Sequence, residues 1–150
     1  MNAPIQPPSK KNLLKKILIR LGLLMAFLFI VLLIVTPTTT NIFENGQIEI
    51  AKTFVTGEAD TAMLAYKLNT GDYPTAQQGL KALISPPEGV KGWKGPYFAS
   101  ATTIIDPWGH VYHYAYPSTH GQPAGKYDCW SLGPDGKDGT ADDIGNWNLK

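Results

Sequence analysis

The stretch Gly133-Pro134-Asp135-Gly136-Lys137-Asp138-Gly139-Thr140-Ala141-Asp142-Asp143-Ile144 carries the densest chemistry in the chain. Four carboxylates fall within nine positions. The three glycines let the backbone turn tightly and aim carbonyls inward. Hard cations such as calcium take about six to eight oxygen ligands. Clustered carboxylates with no cation between them repel one another. The spacing departs from an EF-hand, because Gly136 directly follows Asp135 and no glutamate closes a twelve-residue loop. Magnesium suits the loop less well, since it keeps its waters and takes fewer protein oxygens. The candidate ligands are the side chains of Asp135, Asp142 and Asp143, with main-chain oxygens near Leu132. Asp138 is placed toward solvent. The same residues also read as an exposed acidic turn, since Asp-Gly pairs are common in turns. Spacing alone leaves both readings open.

The remaining reactive residues offer less. His110 and His113 point to opposite faces of an extended segment, and His120 sits in a polar connection, so zinc is disfavoured. Ser131 and the histidines form no recognisable nucleophile–base motif, which argues against a hydrolase. Cys129 is the single cysteine and has no partner for an internal disulfide. Within Tyr-Asp-Cys-Trp-Ser-Leu it reads as a small buried hydrophobe. Trp93, Trp108, Trp130 and Trp147 could form a carbohydrate platform, but they read first as packing residues of a small domain.

These residues must be positioned by a short chain with an uneven charge. Net charge is +1 over 150 residues. Lys10, Lys11, Lys15, Lys16 and Arg20 are all basic, and the rest of the chain is net acidic. A nucleic-acid module would keep its positive charge on the folded part, so nucleic acid is not an expected partner. Leu21–Val35 is 15 residues without a polar side chain, and extension to Ile17 gives 19, interrupted at Arg20. That is close to the roughly 20 residues that cross a bilayer core. Lys15, Lys16 and Arg20 flank the anchor and can snorkel. The basic side precedes the apolar run, so residues 1–16 are placed in the cytoplasm and the region after about residue 38 outside it. A cleaved secretory signal and a buried soluble helix are the alternatives. The first lacks a good small-x-small site before the Thr-Pro-Thr-Thr-Thr stretch.

The expected domain plan is a basic leader over 1–16, a transmembrane helix over 17–36, an amphipathic extension over 37–70 and a globular part over 71–150. Residues 1–9 are proline-rich and read as disordered. Pro37 predicts a kink or short break. Beyond it, Ala51, Phe54 or Val55, Ala59, Ala62 and Ala65 or Tyr66 form a helical stripe that Leu68 closes. Gly71 is a candidate left-handed cap. Thr75 and Gln78 have capping-box spacing before a short helix over 77–84. His110–Tyr116 alternates like a strand, and Tyr127–Leu132 reads as the strand returning from a polar hairpin connection. Two strands alone are marginal, so the helix must cover one face, giving an α+β layer.

Taken in order, the motifs resemble the major, G-type pseudopilins of type II secretion systems, a family of type IV pilin-like proteins. The matching stretches are Ala65–Thr75 (AYKLNTGDYPT), Gln78–Leu83, Gly95-Pro96-Tyr97, Asp106-Pro107-Trp108-Gly109, Tyr112 and Tyr114. Ser131-Leu132-Gly133-Pro134-Asp135-Gly136 and Asp142–Trp147 complete the set. The resemblance implies a non-enzymatic structural subunit with a long N-terminal helix, its first half membrane-spanning, packed on a small antiparallel sheet. It implies a periplasmic domain stabilised by calcium, with the Leu132 carbonyl, Asp135 and the Asp142/Asp143 pair at ligand positions. It also implies self-association through N-terminal helices, and partners among other pseudopilins and inner-membrane secretion components. The family's leader ends in a glycine cut by prepilin peptidase, and a glutamate follows at the fifth mature position. Here the candidate cleavage is between Gly22 and Leu23, which puts Phe27 at that fifth position. This departure leaves a second expectation, a permanently tethered binding module that does not polymerise.

Overall fold

The computed structural model describes residues 10–148, and for residues 36–41 the backbone alone. The proline-rich segment read as disordered, residues 1–9, lies outside the described residues. The chain divides into two units, residues 1–43 and 44–150. Helix α1 runs Lys10–Thr53. In the first unit, Lys10–Val35 is long and apolar enough to cross a membrane. Every side chain from Lys10 to Val35 is exposed. A stretch that is apolar all round, as Leu21–Val35 is, is matched to lipid. Of the kink or short break expected at Pro37, the break is absent, because α1 continues through it. A proline removes one backbone hydrogen bond, and the bonds of the turns on either side keep the helix going.

In the second unit α1 passes into a wider π-helical turn, Phe54–Glu58, and then into α2, Ala59–Thr70. The wider turn lets two adjacent residues, Phe54 and Val55, face inward together. The buried stripe is Ala51, Phe54, Val55, Ala59, Ala62, Met63 and Tyr66. It follows the predicted spacing, with Met63 added. Leu68 does not close it and is 77% exposed. Helix α2 ends at Gly71, whose φ of 101° lets its N–H reach the Lys67 carbonyl at 2.8 Å.

The predicted capping box forms. The Thr75 N–H donates to Gln78 Oε1 at 2.8 Å, and the Gln78 N–H donates to Thr75 Oγ1 at 3.2 Å. The chain then enters a tight 3₁₀ segment, Gly79–Leu83, in place of an α-helix. Ser85-Pro86-Pro87 leaves too little chain for full turns. A second 3₁₀ segment spans Ala101–Ile104.

The sheet has strands β1 (His113–Ala115), β2 (Asp128–Ser131) and β3 (Ile144–Gly145), antiparallel in the order β1-β2-β3. His113 pairs with Trp130, and Ser131 pairs with Ile144. All four residues of β2 are buried. The core lies between this sheet and the helix stripe. Tyr112 stacks on Phe54 with ring centroids 3.9 Å apart. Tyrosine hydroxyls tie the sheet back to the helix and its exit: Tyr127 donates to Asp60, Tyr116 to Asp72, and Tyr114 to the Pro74 carbonyl.

Asp128 is fully buried and accepts from Ser118 Oγ (2.6 Å), the Thr119 N–H (2.6 Å), Thr119 Oγ1 (3.2 Å) and the His120 N–H (3.0 Å). His120 Nδ1 lies 3.0 Å from the same carboxylate. Burial opposes its ionisation, but these donors outweigh burial and lower its pKa from 3.8 to about 2. This one carboxylate therefore shapes the connection from β1 to β2. Because the folded value lies below the unfolded one, the contribution is complete above the unfolded value and is lost as pH falls toward about 2. Asp128→Asn should cost about 2–4 kcal/mol at pH 7. Urea melts followed by tryptophan fluorescence should show that deficit shrink between about pH 4 and pH 2.

Candidate metal centre

The acidic loop, residues 132–143, connects β2 to β3, so pairing of the two strands brings its ends together. The pairing that does this, Ser131 with Ile144, depends on a strand that the sequence pattern did not reveal. Two residues in extended conformation, Ile144-Gly145, are too few to show an alternation.

The start of the loop is fixed from below by a buried carboxylate. Asp106 Oδ1 accepts from the Trp108 and His110 N–H groups, folding Asp106-Pro107-Trp108-Gly109 into its turn. Asp106 Oδ2 accepts from Ser131 Oγ, which itself accepts from the Gly133 N–H at 3.0 Å. One hydroxyl thus connects the Asp-Pro-Trp-Gly turn to the first loop residues. The Asp-Pro-x-Gly run itself has the composition of a turn. The link from Asp106 to Ser131, 25 positions away, was not legible in the sequence.

The four ligand candidates lie in this one loop. The Asp135 N–H donates to Asp142 Oδ2 at 3.1 Å, which spans the loop. Thr140 Oγ1 donates to Asp142 Oδ1 at 2.7 Å. The Thr140 hydroxyl and the Asp135 N–H hold the Asp142 carboxyl below the usual carboxylate range. Asp135 Oδ1 accepts from the Lys137 N–H, and Asp143 Oδ2 accepts from the Gly139 N–H, both at 2.8 Å. Asp143 Oδ1 is buried with no hydrogen-bond partner. Asp138 is exposed, as expected, and also accepts from Trp130 Nε1 at 2.9 Å. Thr140 was missed by sequence reasoning. Among the described residues, no three His, Cys, Asp or Glu side chains are grouped to hold a metal. Main-chain carbonyl oxygens, which calcium also takes as ligands, fall outside that grouping.

Two glycines let the loop close. At Gly133 (φ +65°) an added Cβ would sit 2.4 Å from the Asp142 carbonyl oxygen. At Gly136 (φ +65°) it would meet the His110 ring at 2.9 Å. The neighbour is fixed backbone in the first case and a movable ring in the second.

The other candidates are dispersed. His110 lies beside Asp106, His113 packs on Trp130, and His120 stacks on Trp147 at 3.7 Å. Cys129 is fully buried, and burial pushes its thiol pKa up. Gly22, Leu23, Lys15, Lys16 and Arg20 all lie on α1 in the first unit, exposed.

A family model described as type II secretion system (T2SS), protein G, matches residues 39–147. The chain belongs to this family. The type II secretion system core protein G of Pseudomonas aeruginosa is 35% identical over 137 residues, covering 87% of this chain and 92% of that protein. That of Pectobacterium carotovorum is 45% identical over 93 residues, 60% of this chain and 56% of that protein. The crystal structure of the major pseudopilin from the type 2 secretion system of enterohaemorrhagic Escherichia coli superposes with a TM-score of 0.62 at 31% identity. It covers 73% of this chain and 90% of that one. The α+β architecture, a long N-terminal helix on a small antiparallel sheet, is therefore the pseudopilin fold. The protein is a structural, non-enzymatic pseudopilin subunit of the inner membrane, single-pass, with its globular unit in the periplasm. Family membership also supports association with other subunits and with the membrane machinery.

Gly133→Ala should cost about 2–4 kcal/mol, combining left-handed strain with a clash against backbone. Gly136→Ala should cost about 1–2 kcal/mol, because the His110 ring can move aside. Thermal melts of both variants check this order.

Proposed function

We propose that this pseudopilin is a calcium-stabilised subunit that assembles with further copies, or with other pseudopilins, in a type II secretion pseudopilus or a related pilus-like assembly. The observation that carries the calcium reading is Asp143 Oδ1, a buried carboxylate oxygen without a donor. Leaving such an oxygen uncompensated is costly. The candidate ligands along the loop all offer oxygen, which suits a hard cation. The residues that would hold the ion are Asp135, Asp142, Asp143 and the Leu132 carbonyl. Bound there, calcium supplies charge neutralisation and a cross-link within the loop. Thr140 and the backbone N–H groups of Asp135, Lys137 and Gly139 orient the carboxylates.

Assembly is supported by apolar side chains that the globular unit leaves open along its helix. Ile50, Leu64 and Leu68 are 61%, 50% and 77% exposed. Packing against the helix of another copy would remove that surface from water. Phe27, exposed on the membrane helix, favours a second reading. It stands where the family's fifth-position carboxylate would follow a cut between Gly22 and Leu23. A chain without that charge, and without the cut, would stay a permanent tether.

Excess calcium should raise the melting temperature of the wild-type protein by about 5 °C or more over chelator. Asp142→Ala and Asp143→Ala should abolish that rise, whereas Asp138→Ala should leave it. Identical wild-type curves with calcium and with chelator would remove the ion from the reading.

The assembly reading is checked separately, with Leu64→Cys and Leu68→Cys in native membranes. Oxidation should trap dimers, and intact mass should show a chain starting at Leu23. Monomer throughout with an uncut N-terminus would establish the tether instead.

A further inference from the structure

The five basic residues on the first part of α1 do more than the topology requires. On a helix of 3.6 residues per turn, Lys10, Lys11, Lys15, Lys16 and Arg20 stand at about 0°, 100°, 140°, 240° and 280° around the axis. The widest gap between neighbours is about 100°. The charges therefore encircle the helix. All five are exposed, and Leu13, Leu14, Ile17, Leu18 and Ile19 between them are exposed as well. No acidic residue precedes Glu44 to balance them.

Their depth is set by the apolar run. Ile17–Val35 as a helix is about 28 Å long, close to the thickness of a bilayer's hydrocarbon core. Lys15 and Lys16 then lie at its cytoplasmic edge, among lipid phosphates. Lys10 and Lys11 follow about 7 Å further out. Arg20 sits within the run, with a side chain long enough to reach the same layer. We infer that these residues form a cationic collar that binds anionic phospholipid headgroups of the cytoplasmic leaflet and gathers them around the anchor.

The angular spread selects this partner. A protein partner docks on one side and would leave the cations on one stripe. Lipid headgroups surround a helix on every side, and a collar meets them at every angle. Each lysine near an anionic surface contributes about fivefold in affinity. Several together would distinguish an anionic from a zwitterionic lipid, as topology alone does not demand. The inference goes beyond the assembly and calcium readings and rests on the membrane span alone. If the chain is cut between Gly22 and Leu23, the collar belongs to the uncut precursor.

The test is native mass spectrometry of the full chain in non-ionic detergent, its uncut state confirmed by the same mass measurement. Dioleoylphosphatidylglycerol and dioleoylphosphatidylcholine are titrated in parallel. The phosphatidylglycerol should be retained preferentially. Each of Lys10→Gln, Lys11→Gln, Lys15→Gln and Lys16→Gln should reduce that preference by a similar factor, about fivefold. The fourfold Lys→Arg variant should keep the preference, which separates charge from loss of fold. Equal retention of the two lipids overturns the inference. So does a loss confined to two neighbouring positions, which would mark a one-sided partner site.

Discussion

Strands of three, four and two residues cannot hold themselves together in water. The sheet persists because one helical face is built from residues small enough to let it come close. Ala51, Ala59 and Ala62 supply the close approach, and Phe54, Met63 and Tyr66 fill the space on either side. The π-helical turn at Phe54–Glu58 belongs to the same solution, since it places Phe54 under Tyr112 without turning Val55 outward. A uniformly large-residue stripe would hold the sheet away and open β2, all of whose residues are buried. The helix is thus the missing half of the sheet's core, and the remaining features of the globular unit are arranged around that contact.

A core this small leaves much of the chain irregular, and buried carboxylates organise that irregular part. Asp128 gathers the backbone and side chains of the β1–β2 connection. Asp106 does the same for the turn before β1, and through Ser131 it reaches the loop after β2. In both cases several donors compensate the cost of burying the charge. Asp143 differs, because only one of its oxygens has a donor. That asymmetry separates a carboxylate serving structure alone from one with an unfilled requirement.

Much of this was legible in the residues. The membrane segment, the alanine stripe, the Gly71 cap, the Thr75–Gln78 box and both longer strands follow from local pattern, because each is decided by neighbours within a few positions. The misreadings have definite physical causes. Pro37 suggested a kink or a short break, and the break does not occur, since one lost bond does not end a long helix. Leu68 looked like the end of the apolar stripe, yet it lies outside the face the sheet covers. Strand β3 was too short to carry a period, and the Asp106–Ser131 contact joins residues that no spacing rule connects. The four ligand candidates were named from composition. Thr140, which fixes the orientation of Asp142, has no signature outside the folded loop.

Position in the sheet gives the acidic loop leverage that an ordinary surface turn lacks. Its first residue follows β2 directly, and its last precedes β3. Strand β2 is the central strand and packs beneath the helix face, so strain in the loop acts on the core through Ser131 and Ile144. Cross-loop contacts such as Asp135 to Asp142 are single hydrogen bonds at the surface, each worth about 1 kcal/mol. They are weak restraints against the mutual repulsion of several carboxylates. A cation among those oxygens would reverse the sign of that repulsion and hold β2 and β3 in register from outside the sheet. The same loop in a monomer with a large core would be dispensable. Here, where β3 has two residues, the restraint on its preceding loop acts together with the bonds between Asn146 and Cys129 at its other end.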